Sequence, residues 1–167
     1  MNGDILDDLL RPGLRLVICG TAAGTRSAML KAYYAGPGNK FWKTLHEIGL
    51  TPERLAPEDW RQLDRYHIGF TDLAKAHFGM DTQLPAGCFD PERLRGVIAR
   101  FEPATLAFNG KKAAQVFYGR QRIEYGAQEK IGGTAIWVLP STSGAASGAW
   151  SIEPWRQLAA RLCQQPR

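Results

Sequence analysis

The stretch from Leu14 to Ser27, LRLVICGTAAGTRS, decides the fold. Leu14 to Cys19 is a mostly apolar run, the pattern of a strand buried on both faces of a parallel sheet. Gly20-Thr-Ala-Ala-Gly24 then turns the chain with small residues only. Outward from this unit the pattern recurs. Tyr66 to Thr71, Ala104 to Phe108 and Thr134 to Leu139 read as further strands, and Ile123 to Ile131 as an extended segment joined to the last of them at Gly132-Gly133. Helices fall between them. Phe41, Trp42, Leu45 and Ile48 share one helical face, as do Leu94, Val97, Ile98 and Phe101. Asp90-Pro91 is a strong helix start, with an N-cap carboxylate and proline at the first helical position. Lys111 to Tyr118, a short piece over Pro57 to Leu63 and a last helix capped by Ser151 complete the set. Ile5, Leu6, Leu9 and Leu10 predict one more helix over residues 4–10. Strands alternating with helices give an α/β fold with a central, mainly parallel four-stranded sheet.

The chain has 167 residues, 44% of them hydrophobic and 22% charged. That is ordinary globular composition, long enough for one domain with a real core, and it excludes disordered and collagen-like classes. We expect a single domain over residues 1–167. The net charge of +5 is compatible with a polyanionic partner. No apolar run approaches the ~18 residues a membrane span needs. The acidic start MNGDILDDLL does not resemble a secretory signal, so a cytoplasmic location is expected. Cys19, Cys88 and Cys163 are far apart, and His46, His67 and His77 lack ligand spacing. No metal site and no cofactor are expected.

In open α/β sheets ligands bind beyond the carboxyl ends of the strands. That rule selects Gly20–Ser27, Thr71–Lys75, Asn109–Lys112 and Pro140–Ser147. The first loop lets a backbone approach a ligand closely, but it matches neither G-x-G-x-x-G nor the Walker A pattern. Pro140-Ser-Thr-Ser-Gly-Ala-Ala-Ser147 crowds hydroxyls and backbone donors into one loop, which suits phosphate contacts. No G-x-S-x-G elbow supports Ser141 or Ser143 as a nucleophile, and a small-molecule hydrolase would need a base near Ser143. Tyr33-Tyr34 ahead of Gly36-Pro37-Gly38 sets an aromatic pair at a turn, where an exposed ring can stack on a base.

CGTAAGTRSA (19–28), YYAGPGNKFWK (33–43), GFTDLAK (69–75), LAFNGKKAA (106–114) and VLPSTSGAAS (138–147) follow the order and spacing of a known family. The sequence resembles the mismatch-specific uracil-DNA glycosylases, relatives of thymine-DNA glycosylase, over roughly residues 5 to 162. The resemblance implies a three-layer α/β/α sandwich and hydrolysis of the N-glycosidic bond of a flipped-out base. It makes Tyr34 the ring that stacks on that base. The family's first motif usually reads G-I-N-P-G, and its Asn positions the attacking water; here that position is Ala22, beside the base but unable to hold a water. The second motif usually reads N-P-S-G-L-S with a Leu that plugs the vacated stack. Here it is Ser141-Thr142-Ser143-Gly144-Ala145-Ala146, and the plug is only Ala145. A plug this short favours single-stranded uracil, then uracil opposite guanine, over uracil opposite adenine.

Asp72 is the candidate to replace the missing water-holder. A carboxylate accepts hydrogen bonds, so it can orient or deprotonate water and stabilise a cationic sugar. It would repel O4 of uracil, so the amides of Asn39 and Asn109 are better suited to read the base edge. Gly24, Arg26, Ser27, Lys111, Ser141, Ser143, Gly144, Ala145 and Ala146 are the expected DNA contacts. Lys31, Lys40, Lys43 and Lys112 lie in or beside the same loops. The implied protein is a monomeric, monofunctional uracil-DNA glycosylase acting on single-stranded and duplex DNA. The alternative is a non-catalytic binder of uracil-containing or abasic DNA, and a carboxylate of Asp72 turned into the site separates the two.

Overall fold

A computed structural model describes residues 3–164. Five strands form one sheet: β1 (Leu16–Gly20), β2 (Ile68–Asp72), β3 (Thr105–Asn109), β4 (Gly126–Ile131) and β5 (Thr134–Leu139). Their spatial order is β2-β1-β3-β5-β4. The β1–β2, β1–β3 and β3–β5 pairings are parallel, while β4 pairs with β5 antiparallel. The α/β expectation stands, but the sheet has five strands rather than four. β4 reads GAQEKI and alternates half-buried and exposed positions. A ribbon of that kind closes an edge, and its hydropathy carries little of the signal of a buried strand.

Helices cover both faces, giving three layers. The helices are α1 (Thr25–Leu30), α2 (Phe41–Glu47), α3 (Pro91–Phe101), α4 (Lys111–Tyr118) and α5 (Glu153–Gln164). Leu16, Ile18 and Phe70 point to one face, where they meet Phe41 and Leu45 of α2 and Trp155 and Leu158 of α5. Val17, Cys19, Leu106 and Phe108 point to the other, against Leu94 and Ile98 of α3 and Ala113 and Phe117 of α4. Asp90 caps α3 by accepting from the Arg93 N–H at 3.0 Å.

Residues 4–10 are not helical. Leu9 and Phe70 exchange backbone hydrogen bonds of 3.0 Å, and Ile5 N–H donates to the Lys75 carbonyl at 2.7 Å. Seven residues make a marginal helix at best, whereas the open edge of β2 offers this arm both backbone partners and a place to bury Leu6. Among the described residues, no helix is long and apolar enough to cross a membrane.

Candidate active site

The parallel strands deliver Gly20, Asp72 and Asn109 to the same end of the sheet, and β5 leads there into Ser141–Ala146. A cavity of 850 Å³ opens at that end. Among its walls are all three residues, Ala22, Tyr34, Asn39 and the loop 141–146. A volume of this order accommodates a base and its sugar.

Asp72 ends β2 in register with Gly20. It is only 4% exposed, and it lines the cavity rather than facing bulk solvent. Burial pushes its carboxyl up to about 7; the positive charge of Lys75 and the Gly20 N–H, which donates to it, hold it down against that. A carboxyl poised near neutral pH suits proton transfer. Gly20 is required by contact: a Cβ there would lie 2.7 Å from Asp72 Oδ1 and 3.1 Å from the Tyr34 hydroxyl. Both oxygens therefore converge on one point at the end of β1.

Tyr34 is half-buried, not freely exposed as its turn suggested. One ring neighbour is Phe41, stacked at 4.4 Å, and its hydroxyl is buried without a hydrogen-bond partner. Burial, with the Asp72 charge added, pushes that hydroxyl well above its usual pKa, so it stays protonated as a donor. Its φ of +54° is left-handed, rare for a bulky residue and costly by about 1–3 kcal/mol, a strain that concentrates at functional sites. Tyr33 is the structural member of the pair. It stacks on Phe70 at 4.4 Å and donates to the Asp7 carbonyl at 2.9 Å.

Asn109 lines the cavity, but both ends of its amide are engaged. Nδ2 donates to Thr142 Oγ1 at 2.9 Å and Oδ1 accepts from the Thr142 N–H at 3.0 Å. It ties the last loop to β3. Asn39 accepts from the Phe41 N–H at 3.0 Å, which leaves its Nδ2 for a ligand.

The candidate DNA contacts divide. Gly24, Arg26, Lys111, Lys112, Ser141, Ser143, Gly144, Ala145 and Ala146 surround the cavity. Lys111 Nζ lies 4.3 Å from the centre of the Tyr125 ring. Ser27 lines the cavity too, but it is buried and accepts from the Ala35 N–H at 3.0 Å, bracing the turn. Lys31, Lys40 and Lys43 lie outside the cavity wall. They engage the Ile5 carbonyl, the Ser147 hydroxyl and Glu47 respectively. None of the three histidines lines the cavity, so Ser143 has no imidazole base there.

Two features had no clear sequence signal. Lys75 is buried, with Nζ 2.8 Å from Asp8, 2.7 Å from the Leu6 carbonyl and 3.3 Å from the Tyr33 hydroxyl. Asp8 in turn accepts from Thr71 at 2.8 Å and pairs with Arg93. The other feature is residues 79–82, which form part of the cavity wall. The arm that supplies Asp8 amphipathically mimics a helix, and residues 79–82 carry no motif.

With this geometry stand the comparisons with known proteins. The uracil DNA glycosylase superfamily profile matches residues 8–159, so the chain belongs to that superfamily. Its fold is similar to a solution NMR structure of a candidate uracil DNA glycosylase from Methanosarcina acetivorans. The TM-score is 0.66 at 21% identity, covering 95% of this chain and 97% of that one.

Proposed function

We propose that this protein is a monofunctional uracil-DNA glycosylase that releases uracil from DNA with Asp72 in the catalytic role. The observation that carries the proposal is the Asp72 carboxyl, buried, lining the cavity and held near neutral pKa by Lys75 and Gly20 N–H. A flipped deoxyuridine enters the cavity and stacks on Tyr34. The C1′–N1 bond breaks, its electron pair leaving with uracil N1. Water adds its oxygen to C1′ and gives a proton to the Asp72 carboxylate. Before that addition the same carboxylate stabilises the cationic sugar. The Tyr34 hydroxyl donates toward the water that Ala22 cannot hold. Asn39, with a free amide donor, is favoured over Asn109 for reading the base.

The five quoted motifs support the mismatch-specific branch of the superfamily. In our reading the protein works as a metal-free, single-domain monomer of the cytoplasm. Arg26, Lys111 and Lys112 at the cavity mouth supply cations for DNA phosphates. An inward carboxylate favours an enzyme over a non-catalytic binder.

The test is cleavage of labelled oligonucleotides carrying uracil in a single strand, opposite guanine and opposite adenine, each followed by alkali. Strand scission at uracil is expected, fastest for the single strand and slowest opposite adenine. Tight binding with no alkali-labile site would make the protein a binder instead.

A further inference from the structure

Four large apolar side chains are conspicuously exposed among the described residues: Met29, Leu30, Phe78 and Met80. Met80, 57% exposed, is the one that lines the cavity. Its backbone is held while its side chain is free. Phe78 bridges to Ala23, Gly79 N–H donates to the Ala23 carbonyl at 2.9 Å, and Thr21 donates to Asp81 at 2.7 Å. Gln83 accepts from the Met80 N–H, also at 2.9 Å. The turn is thus fastened to the Gly20–Gly24 loop on one side of the mouth. Elsewhere on the mouth, Ala145 and Ala146 offer only methyl groups, and Arg26, Lys111 and Lys112 supply the positive charge.

We propose that Met80 is the wedge of this protein: it enters the base stack of duplex DNA as the nucleotide swings into the cavity. The inference rests on the glycosylase reading above. An exposed thioether among phosphate-binding cations fits the flat apolar faces of stacked bases. Inserted apolar side chains, methionine among them, unstack base steps in this way. Methionine is unbranched and flexible, so it fills an irregular gap without a fixed shape. A wedge from this turn offsets the short Ala145.

Single-turnover rates of Met80→Ala and Met80→Leu on the three uracil substrates test the idea. Met80→Ala removes three heavy atoms, so the rate opposite adenine should fall on the order of thirtyfold, about 2 kcal/mol at ~0.8 kcal/mol per buried methylene-sized group. The single-stranded rate should stay within about twofold, and Met80→Leu should retain most duplex activity. A parallel measurement uses a duplex with 2′-fluoro-deoxyuridine, which resists cleavage, beside 2-aminopurine. Wild type should raise the fluorescence as the stack opens, and Met80→Ala should not. That arm separates the wedge from the chemistry, because it reads base extrusion even if no uracil is released. Unchanged duplex rates, equal losses on all three substrates, or no fluorescence rise with wild type would each overturn the wedge.

Discussion

Asp72→Asn should stabilise the protein while disabling it, and only above a definite pH. In the folded protein the carboxyl is pushed up to about 7 from an ordinary 3.8, chiefly by burial. A group whose folded pKa is raised contributes stability that is full below its unfolded pKa. That contribution is lost as pH rises through the folded pKa. Between pH 4 and 7 the wild type therefore loses stability, because the unfolded chain releases the proton that folded Asp72 retains. A rise from 3.8 to about 7 sets a ceiling of about 4 kcal/mol. Asparagine keeps the shape and an oxygen for the Gly20 N–H, but carries no charge to desolvate. Part of the gain returns because Lys75 loses the attraction of Asp72, although Asp8 remains 2.8 Å from its Nζ. At this chain length each kcal/mol moves Tm by about 2–4 °C. Thermal unfolding at several pH values should thus show the two proteins alike near pH 4. The mutant should rise progressively above wild type to pH 7 and keep a constant lead beyond it. A mutant no more stable than wild type at pH 8, or a difference that ignores pH, would refute a high folded pKa at Asp72.

Gly20→Ala should slow single-turnover cleavage by about a hundredfold, the scale of a misplaced reacting group, because the new Cβ would sit 2.7 Å from Asp72 Oδ1. Circular dichroism should report a folded protein, since Gly20 needs no positive φ. Lys75→Met removes the charge that favours ionised Asp72, so the acid limb of the pH–rate profile should move to higher pH while the plateau above pH 9 changes less. A limb that stays fixed would detach Lys75 from Asp72. Tyr34→Ala should weaken uracil-DNA binding by about 1–3 kcal/mol, the scale of base–aromatic stacking. Tyr34→Phe should keep that binding but lose rate if the hydroxyl helps hold water, and binding titrations beside rate measurements separate the two.

Sequence pattern carried the fold wherever burial was two-sided or a cap was chemically explicit. Leu16–Gly20 is a run buried on both faces, and Asp90-Pro91 starts α3 as written. It failed where tertiary pairing overrode local pattern. Ile5, Leu6 and Leu9 have helical spacing, yet the free edge of β2 draws the arm into extended pairing. β4 is legible as an extended segment ahead of Gly132-Gly133, but its polar, alternating pattern keeps it out of the strand count. For the site, the rule of strand carboxyl ends led to Asp72, Asn109 and the 141–146 loop. It could not show that Thr142 bonds both ends of the Asn109 amide or that Ser27 is a brace. Asp8 and Lys75 meet because the arm lies directly on β2, and they stand so far apart in sequence that the pair leaves no local signature. Nor does a sequence reveal that Met80 stands at the cavity while Tyr33, beside Tyr34, is sealed in the core.

The most direct measurement is the single-turnover release of uracil from a single-stranded oligonucleotide, followed across pH 5 to 9 for wild type and Asp72→Asn. A single strand removes the wedge and the opposing base from the comparison. Wild type should gain rate through a midpoint near pH 7 and then level off. Asp72→Asn should be slower by about 10²-fold or more, with no such rise. A mutant as fast as wild type, or a wild type that leaves no alkali-labile site at any pH, would contradict catalysis by Asp72.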